Sequence, residues 1–164
     1  MPLYYRIFVL VECVTSISLV GCRVTPPGRA ETAIVRWTKH NITVRGVHDK
    51  NPIQSSAEKI EAGKQTFGFY CVVCHGRDGQ NTGVPFAGGM APPIPSLASA
   101  DTQRYSDGQL KWIIENGISP SGMPASRGIL SDDDIWTIVV YLRHLPPRGS
   151  LGEPRSYSGN EYEK

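Results

Sequence analysis

Cys71, Cys74 and His75 stand in the run Cys71-Val72-Val73-Cys74-His75, and that spacing has a mechanical meaning. On a helical turn, positions three and four apart share a face, so two thiols and an imidazole can address one planar ligand. C-x-x-C-H is the attachment signature of c-type haem. The thiols form thioether bonds to the porphyrin vinyl groups, and the adjacent imidazole supplies an axial ligand to iron. A redox dithiol or half of a zinc site is the alternative use of a C-x-x-C pair. Zinc needs further thiols or imidazoles, and the other cysteines, Cys13 and Cys22, fall in a segment that reads as an export signal.

The elements that must position these residues follow from pattern. Ser55 or Ser56 can cap a helix with Glu58 placed for a capping box, and Ile60, Gly63, Phe67 and Tyr70 recur at helical spacing up to the cysteines. Gly63 in mid-helix costs about 1 kcal/mol against alanine and so predicts a close helix crossing. Residues 76–100 are rich in Gly and Pro and predict a long irregular stretch wrapped around a ligand. Ser106-Asp107 predicts the start of a helix carrying Leu110, Trp112, Ile113 and Ile114, which stops at Asn116-Gly117. A loop with Pro120, Met123 and Pro124 follows. Ser131, backed by Asp132, Asp133 and Asp134, opens the last helix, whose apolar face includes Ile135, Trp136, Val139 and Leu142 and which ends before Pro146-Pro147.

The 164 residues allow one domain of ordinary size with appendages, and a net charge of +2 with 20% charged residues gives no global sign of nucleic-acid binding. Residues 23–51 carry six Lys/Arg against two Asp/Glu, whereas residues 52–147 carry seven against nine. A basic approach segment therefore precedes a mildly acidic domain. Residues 1–22 read as an export signal or N-terminal anchor: Arg6 precedes an apolar run from Ile7 to Val20, interrupted by Glu12 and too short for a comfortable span. The run closes on Leu19-Val20-Gly21-Cys22, which resembles a bacterial lipobox with Cys22 as the lipidated residue. Lipidation, plain cleavage and a retained anchor all stay open. Residues 23–53 read as a linker with a short helix between Glu31 and His40 carrying Ile34 and Trp37. Residues 54–147 form the domain, and 148–164 read as a flexible tail. His40 and His48 are expected to be solvated linker residues.

The order of these features in residues 54–147 resembles the class I cytochrome c family. An N-terminal helix runs into C-x-x-C-H, a Pro-rich stretch and a middle helix follow, then a Gly-Met-Pro loop and a C-terminal helix ending aromatic-Leu-Arg. The resemblance implies an all-α fold around one covalent haem c. It implies Cys71 and Cys74 as attachment points, His75 as proximal and Met123 as distal iron ligand. A carbonyl in Ala91-Pro92-Pro93, taken as that of Pro92, would accept from the second nitrogen of His75. Gly63 and Phe67 would cross the last helix near Trp136 or Tyr141. Met90 is the competing distal ligand; Met123 is preferred because Pro120 and Pro124 stiffen its loop. Trp112, Trp136 and Tyr141 are expected in the core, His144 as a helix-end cap, and Arg104 or Tyr105 as a propionate contact.

Nitrogen and sulfur ligation leaves no open iron position, so the resemblance implies electron transfer rather than substrate chemistry. The leading expectation is an exported, membrane-anchored carrier on the periplasmic side, exchanging electrons with respiratory or photosynthetic complexes. A fixed cytochrome subunit of a larger membrane oxidoreductase is the second, and co-purification with such a complex separates the two. A sensor or enzyme with a dissociable Met123 is the third, separated by the absorption of the thioether–iron bond.

Overall fold

The structure is a computed structural model and describes residues 28–38, 42–90, 92–119 and 121–158. Cys22 and the rest of the export segment lie outside the described residues, as do His40 and Pro120. The chain divides into two compact units, Met1–Arg36 and Trp37–Lys164. In the first, helix α1 (Arg29–Thr38) begins, two residues earlier than the predicted Glu31. Its Ile34 and Val35 are exposed.

The second unit holds the cysteines. Ser56 caps α2 (Ala57–Tyr70) by accepting from Lys59 N, so the box partner is absent and Glu58 serves only as a first-turn carboxylate. Cys71 ends α2 and starts the single turn α3 (Val72–His75). After a 3₁₀ turn at Ala87–Gly89, a short helix α4 (Ala100–Gln103), capped by Ser99, opens where no element was expected. Helix α5 (Asp107–Asn116) has a reciprocal capping box between Ser106 and Gln109, and α6 (Asp132–Leu142) has one between Ser131 and Asp134. A last turn, α7, spans Arg155–Ser158. Among the described residues there is no strand, only two isolated bridges; the fold is all-α. No helix among them is long and apolar enough to cross a membrane.

The core forms where α2 crosses α6, with α5 packed alongside: Phe67, Leu110, Ile114, Ile135, Val139 and Tyr141 are all buried. The predicted close approach at Gly63 is real. A Cβ there would run into the Thr137 carbonyl and come within 2.9 Å of Tyr141 Cβ. Phe67 stacks on Tyr141 with ring centroids 5.3 Å apart at 59°.

Two stretches expected to be loose are docked. In the linker, Gly46 lies against the backbone of Gly108, Asn51 Nδ2 donates to Trp136 O at 3.0 Å, and Gln109 Nε2 reaches Val44 O at 3.5 Å. In the expected flexible tail, Gly149 N donates to Asp78 Oδ2 at 2.7 Å, Arg77 Nη1 to Leu151 O at 3.3 Å, and Tyr157 Oη to Val73 O at 3.0 Å. Pro154 is buried, and the Tyr157 ring meets Phe86 edge-on at 5.9 Å. The physical reason is backbone pairing: Gly149, at φ +77, turns the chain so that its amide meets a buried carboxylate.

Candidate functional site

The Cys71–His75 turn is held by its own backbone. Cys71 N donates to Phe67 O at 2.9 Å, His75 N to Cys71 O at 3.0 Å, and Gly76 N to Val72 O at 2.9 Å. Gly76, at φ +73, then reverses the chain; a side chain there would meet the Thr82 backbone at 2.9 Å. Both thiols are half-buried and form no disulfide. Burial, with Cys74 close by, pushes the Cys71 thiol up to about 12. A thiol-exchange dithiol needs the opposite shift, toward thiolate. Among the described residues no three or more His, Cys, Asp or Glu side chains converge as a metal cage, so the zinc alternative finds no further ligands among them.

Burial pushes His75 down to about 4, against an opposing pull from the Pro95 backbone. The ring is therefore neutral at pH 7, the form that ligates metals. Its Nδ1 is buried and makes no hydrogen bond of good geometry, although Pro95 is the backbone group that acts on the ring. The sequence pointed to Pro92. The chain brings Pro95 instead because Ile94 N donates to Ala87 O at 3.0 Å and Leu97 N to Gly79 O at 2.8 Å, pinning 94–97 beside the turn. Asn81 Nδ2 adds a bond to Ile94 O at 2.8 Å. Two uncrosslinked thiols on one turn, followed by a half-buried neutral imidazole whose Nδ1 is enclosed, fit a c-type haem.

Met123 is half-buried and packs against the core cluster. Its carbonyl accepts from Ile118 N at 3.1 Å, which closes the loop after α5. Met90, 38% exposed, is brought to the same loop: its methyl lies 3.7 Å from where a Cβ on Gly122 would stand. The two candidate methionines thus sit beside one loop although 33 positions separate them in sequence. Arg104 is exposed, whereas Tyr105 packs on the core and its carbonyl accepts from Arg143 Nη2 at 2.5 Å. His144 caps as expected, with Nδ1 2.8 Å from Val140 O and Nε2 3.3 Å from Ser55 Oγ. His48 is exposed.

Asp78 is the residue that sequence reasoning missed. It is fully enclosed three positions after His75. Its carboxylate accepts from Gln80 N at 2.8 Å, Thr82 Oγ1 at 2.5 Å and Gly149 N at 2.7 Å. Burial acts to raise its pKa, but these hydrogen bonds together win and hold it below the ordinary carboxylate value. The only signal in the sequence was the Asp78-Gly79 pair, which reads as an Asx turn. Arg143 was likewise legible only as a helix ending. It binds Asp107 at 2.9 Å and the Gln103 carbonyl at 3.0 Å, tying α6 to the start of α5 and to α4.

The family model described as cytochrome c oxidase, cbb3-type, subunit III, matches residues 58–142. The quinohemoprotein alcohol dehydrogenase ADH IIB of Pseudomonas putida is 25% identical over 91 residues, which cover 56% of this chain and 12% of that protein. The thiosulfate dehydrogenase of Stutzerimonas stutzeri (strain A1501) is 32% identical over 103 residues, 62% of this chain and 31% of that protein. The chain thus spans less than a third of the length of either curated relative.

Proposed function

The chain belongs to the cytochrome c family described as cbb3-type cytochrome c oxidase subunit III, and on that premise we propose that it is a membrane-tethered monohaem carrier working on the periplasmic side. Covalently bound haem c and haem-based electron transfer to redox partners come with the family. Haem iron supplies a centre that takes up or gives back one electron.

In this reading Cys71 and Cys74 would hold the haem, and His75 and Met123 would supply the ligands to its iron. The observation that carries it is His75, half-buried with its Nδ1 enclosed and its ring neutral, on the same turn as two unpaired thiols. Pro95, whose backbone acts on the ring, would take the orienting role expected of Pro92. The hydrogen bond between Ile118 and Met123 keeps the distal arm folded back. Packing of 44–53 and 148–157 onto the helices keeps the ligand-bearing loops from rearranging when charge changes, as electron transfer requires. The decisive experiment is stopped-flow electron exchange of the purified protein with a small one-electron reagent. Rapid exchange with no turnover of oxygen or peroxide supports a carrier; sustained consumption of either would replace it with the enzyme reading.

A second reading, a fixed subunit of a larger oxidoreductase, draws on the two relatives, whose names are those of dehydrogenases and whose matching segments are minor parts of them. Detergent-solubilised membranes decide between the readings: the protein elutes either alone or with a stoichiometric partner.

A further inference from the structure

Met123 stands in the loop between α5 and α6, and this loop is fastened to the end of α5 by both of its limbs. On the outgoing limb Gly117, at φ +68, lets the chain turn so tightly that a side chain there would meet Ala125 N at 2.8 Å. On the returning limb Ser126 donates to Ile114 O from N at 3.2 Å and from Oγ at 2.9 Å, and Arg127 N donates to Glu115 O at 3.1 Å. A cluster of charges overlies this backbone clasp. Glu115 Oε2 takes Lys111 Nζ at 2.9 Å, one turn earlier on α5, while Oε1 takes Arg127 Nη2 at 3.2 Å. Lys111 also reaches Asp132 at 3.1 Å in the first turn of α6, and Arg127 Nη2 donates to Asn116 Oδ1 at 2.9 Å.

Burial of its central pair sets this cluster apart from an ordinary surface pair, while Arg127 and Asp132 at its ends are 64% and 73% exposed. The side chains of Lys111 and Glu115 are 16% and 17% exposed, against 43% and 55% for Lys64 and Glu61 on α2. Exposed pairs contribute little because solvent screens them and two long side chains lose freedom. A half-buried carboxylate shared by two cations loses less to screening. It also joins three elements: α5, the returning limb of the loop and, through Lys111, the start of α6.

We propose that Glu115 is a positioning residue for the arm carrying Met123, acting through Arg127 and Lys111 to keep the thioether in place. This rests on the reading of Met123 as the distal iron ligand. A sulfur ligand is a weak competitor, held mainly by a scaffold that does not let it swing away. Arg127 sits four positions beyond Met123, and Glu115 is the group to which that limb is tied by both backbone and side chain. Losing the carboxylate frees the arm without emptying the core, since neither Glu115 nor Arg127 belongs to the buried apolar cluster.

The test uses the full-length, haem-loaded protein and Glu115→Gln, Glu115→Asp, Arg127→Gln and the Glu115→Gln/Arg127→Gln pair. It reads the pH at which the thioether–iron absorption of the oxidised protein is lost, alongside far-ultraviolet circular dichroism and hydrogen exchange at the Ile118 and Arg127 amides, which donate to Met123 O and Glu115 O. Glu115→Gln is expected to make displacement of the thioether about fivefold easier, the size of a partly screened network, and to speed that exchange while the helices stay intact. Arg127→Gln should shift it the same way, Glu115→Asp should restore part of the effect, and the pair should be no worse than the stronger single change. Arg127, 64% exposed on its side chain, carries the same test should Glu115→Gln not fold. Unchanged thioether loss with only a lower unfolding midpoint, or additive single effects, overturns the proposal. Failure of the underlying reading shows separately: Met123→Ala would keep the absorption band, and the role of Glu115 would fall with it.

Discussion

Gly63 of α2 lies directly against Thr137 of α6, so close that its missing side chain is what lets the two helices meet. The neighbour is a backbone carbonyl, which cannot rotate away as a side-chain end can. Gly63→Ala is therefore already an intrusion, despite alanine's better helix propensity. It should destabilise by about 1–3 kcal/mol, the usual range for overpacking. Urea titration of the holoprotein should give a lower midpoint at an unchanged slope. A neutral or stabilised Gly63→Ala would mean that the crossing is looser than described.

Covalent attachment predicts that the denatured chain keeps its colour after acid–acetone extraction and carries the mass of one haem. Cys71→Ala and Cys74→Ala should each lower haem incorporation sharply. His75→Ala should remove the low-spin spectrum. Colourless protein of unmodified mass would end this assignment of the turn.

Met123 stands in the loop between α5 and α6 and Met90 reaches the same loop, so substituting each in turn tells the two candidates apart. Met123→Ala should open iron to carbon monoxide and lower the midpoint potential, whereas Met90→Ala should do neither. Reversed behaviour of the two variants would make Met90 the ligand.

Asp78 predicts a signed dependence on pH. Its folded-state pKa lies below its ordinary value, because hydrogen bonds from Gly149, Thr82 and Gln80 outweigh the cost of burial. The stability it contributes is thus fully present above about pH 4 and is lost as pH falls through the lower, folded-state value. The stability difference between the wild type and Asp78→Asn should be constant near neutrality and shrink on acidification below pH 4. A gap that widens in acid would reverse the sign argued here.

Cys22→Ser tests the tether. If lipid on that cysteine holds the protein, the variant should appear in the soluble fraction. Retention on membranes after a high-salt wash would assign the hold to an uncleaved N-terminal segment or a partner subunit.

Much of the site was legible because its signals are local. Cys71, Cys74 and His75 announce themselves by spacing, Ser106 and Ser131 by the acidic residues that follow them, and Gly63 by standing where helix propensity opposes it. The misplacements are all long-range. Pro95 rather than Pro92 faces His75 because amides at Ile94 and Leu97 find carbonyls at Ala87 and Gly79, and four prolines in one stretch give no register. The segment after Pro147 looked loose because its composition is polar. Its docking uses scattered partners, among them the Gly149 amide on a buried carboxylate and the Leu151 carbonyl on Arg77, and backbone groups leave no trace in composition. Helix α4 is a single turn, below what periodicity can reveal.

The fasteners of the Cys71–His75 turn come late in the chain. Gly149 lies 71 positions after the Asp78 it binds, and Tyr157 lies 84 after Val73. A ribosome adding roughly 5–20 residues per second needs about 4–14 s to cover the first of those distances. During that interval the Asp78 carboxylate and the Val73 carbonyl exist on a chain that does not yet carry these partners. The order of the residues therefore sets the order of fastening: the turn can be tied from this side only after Gly149 and Tyr157 have been added. A chain cut short before Gly149 would lack both fasteners.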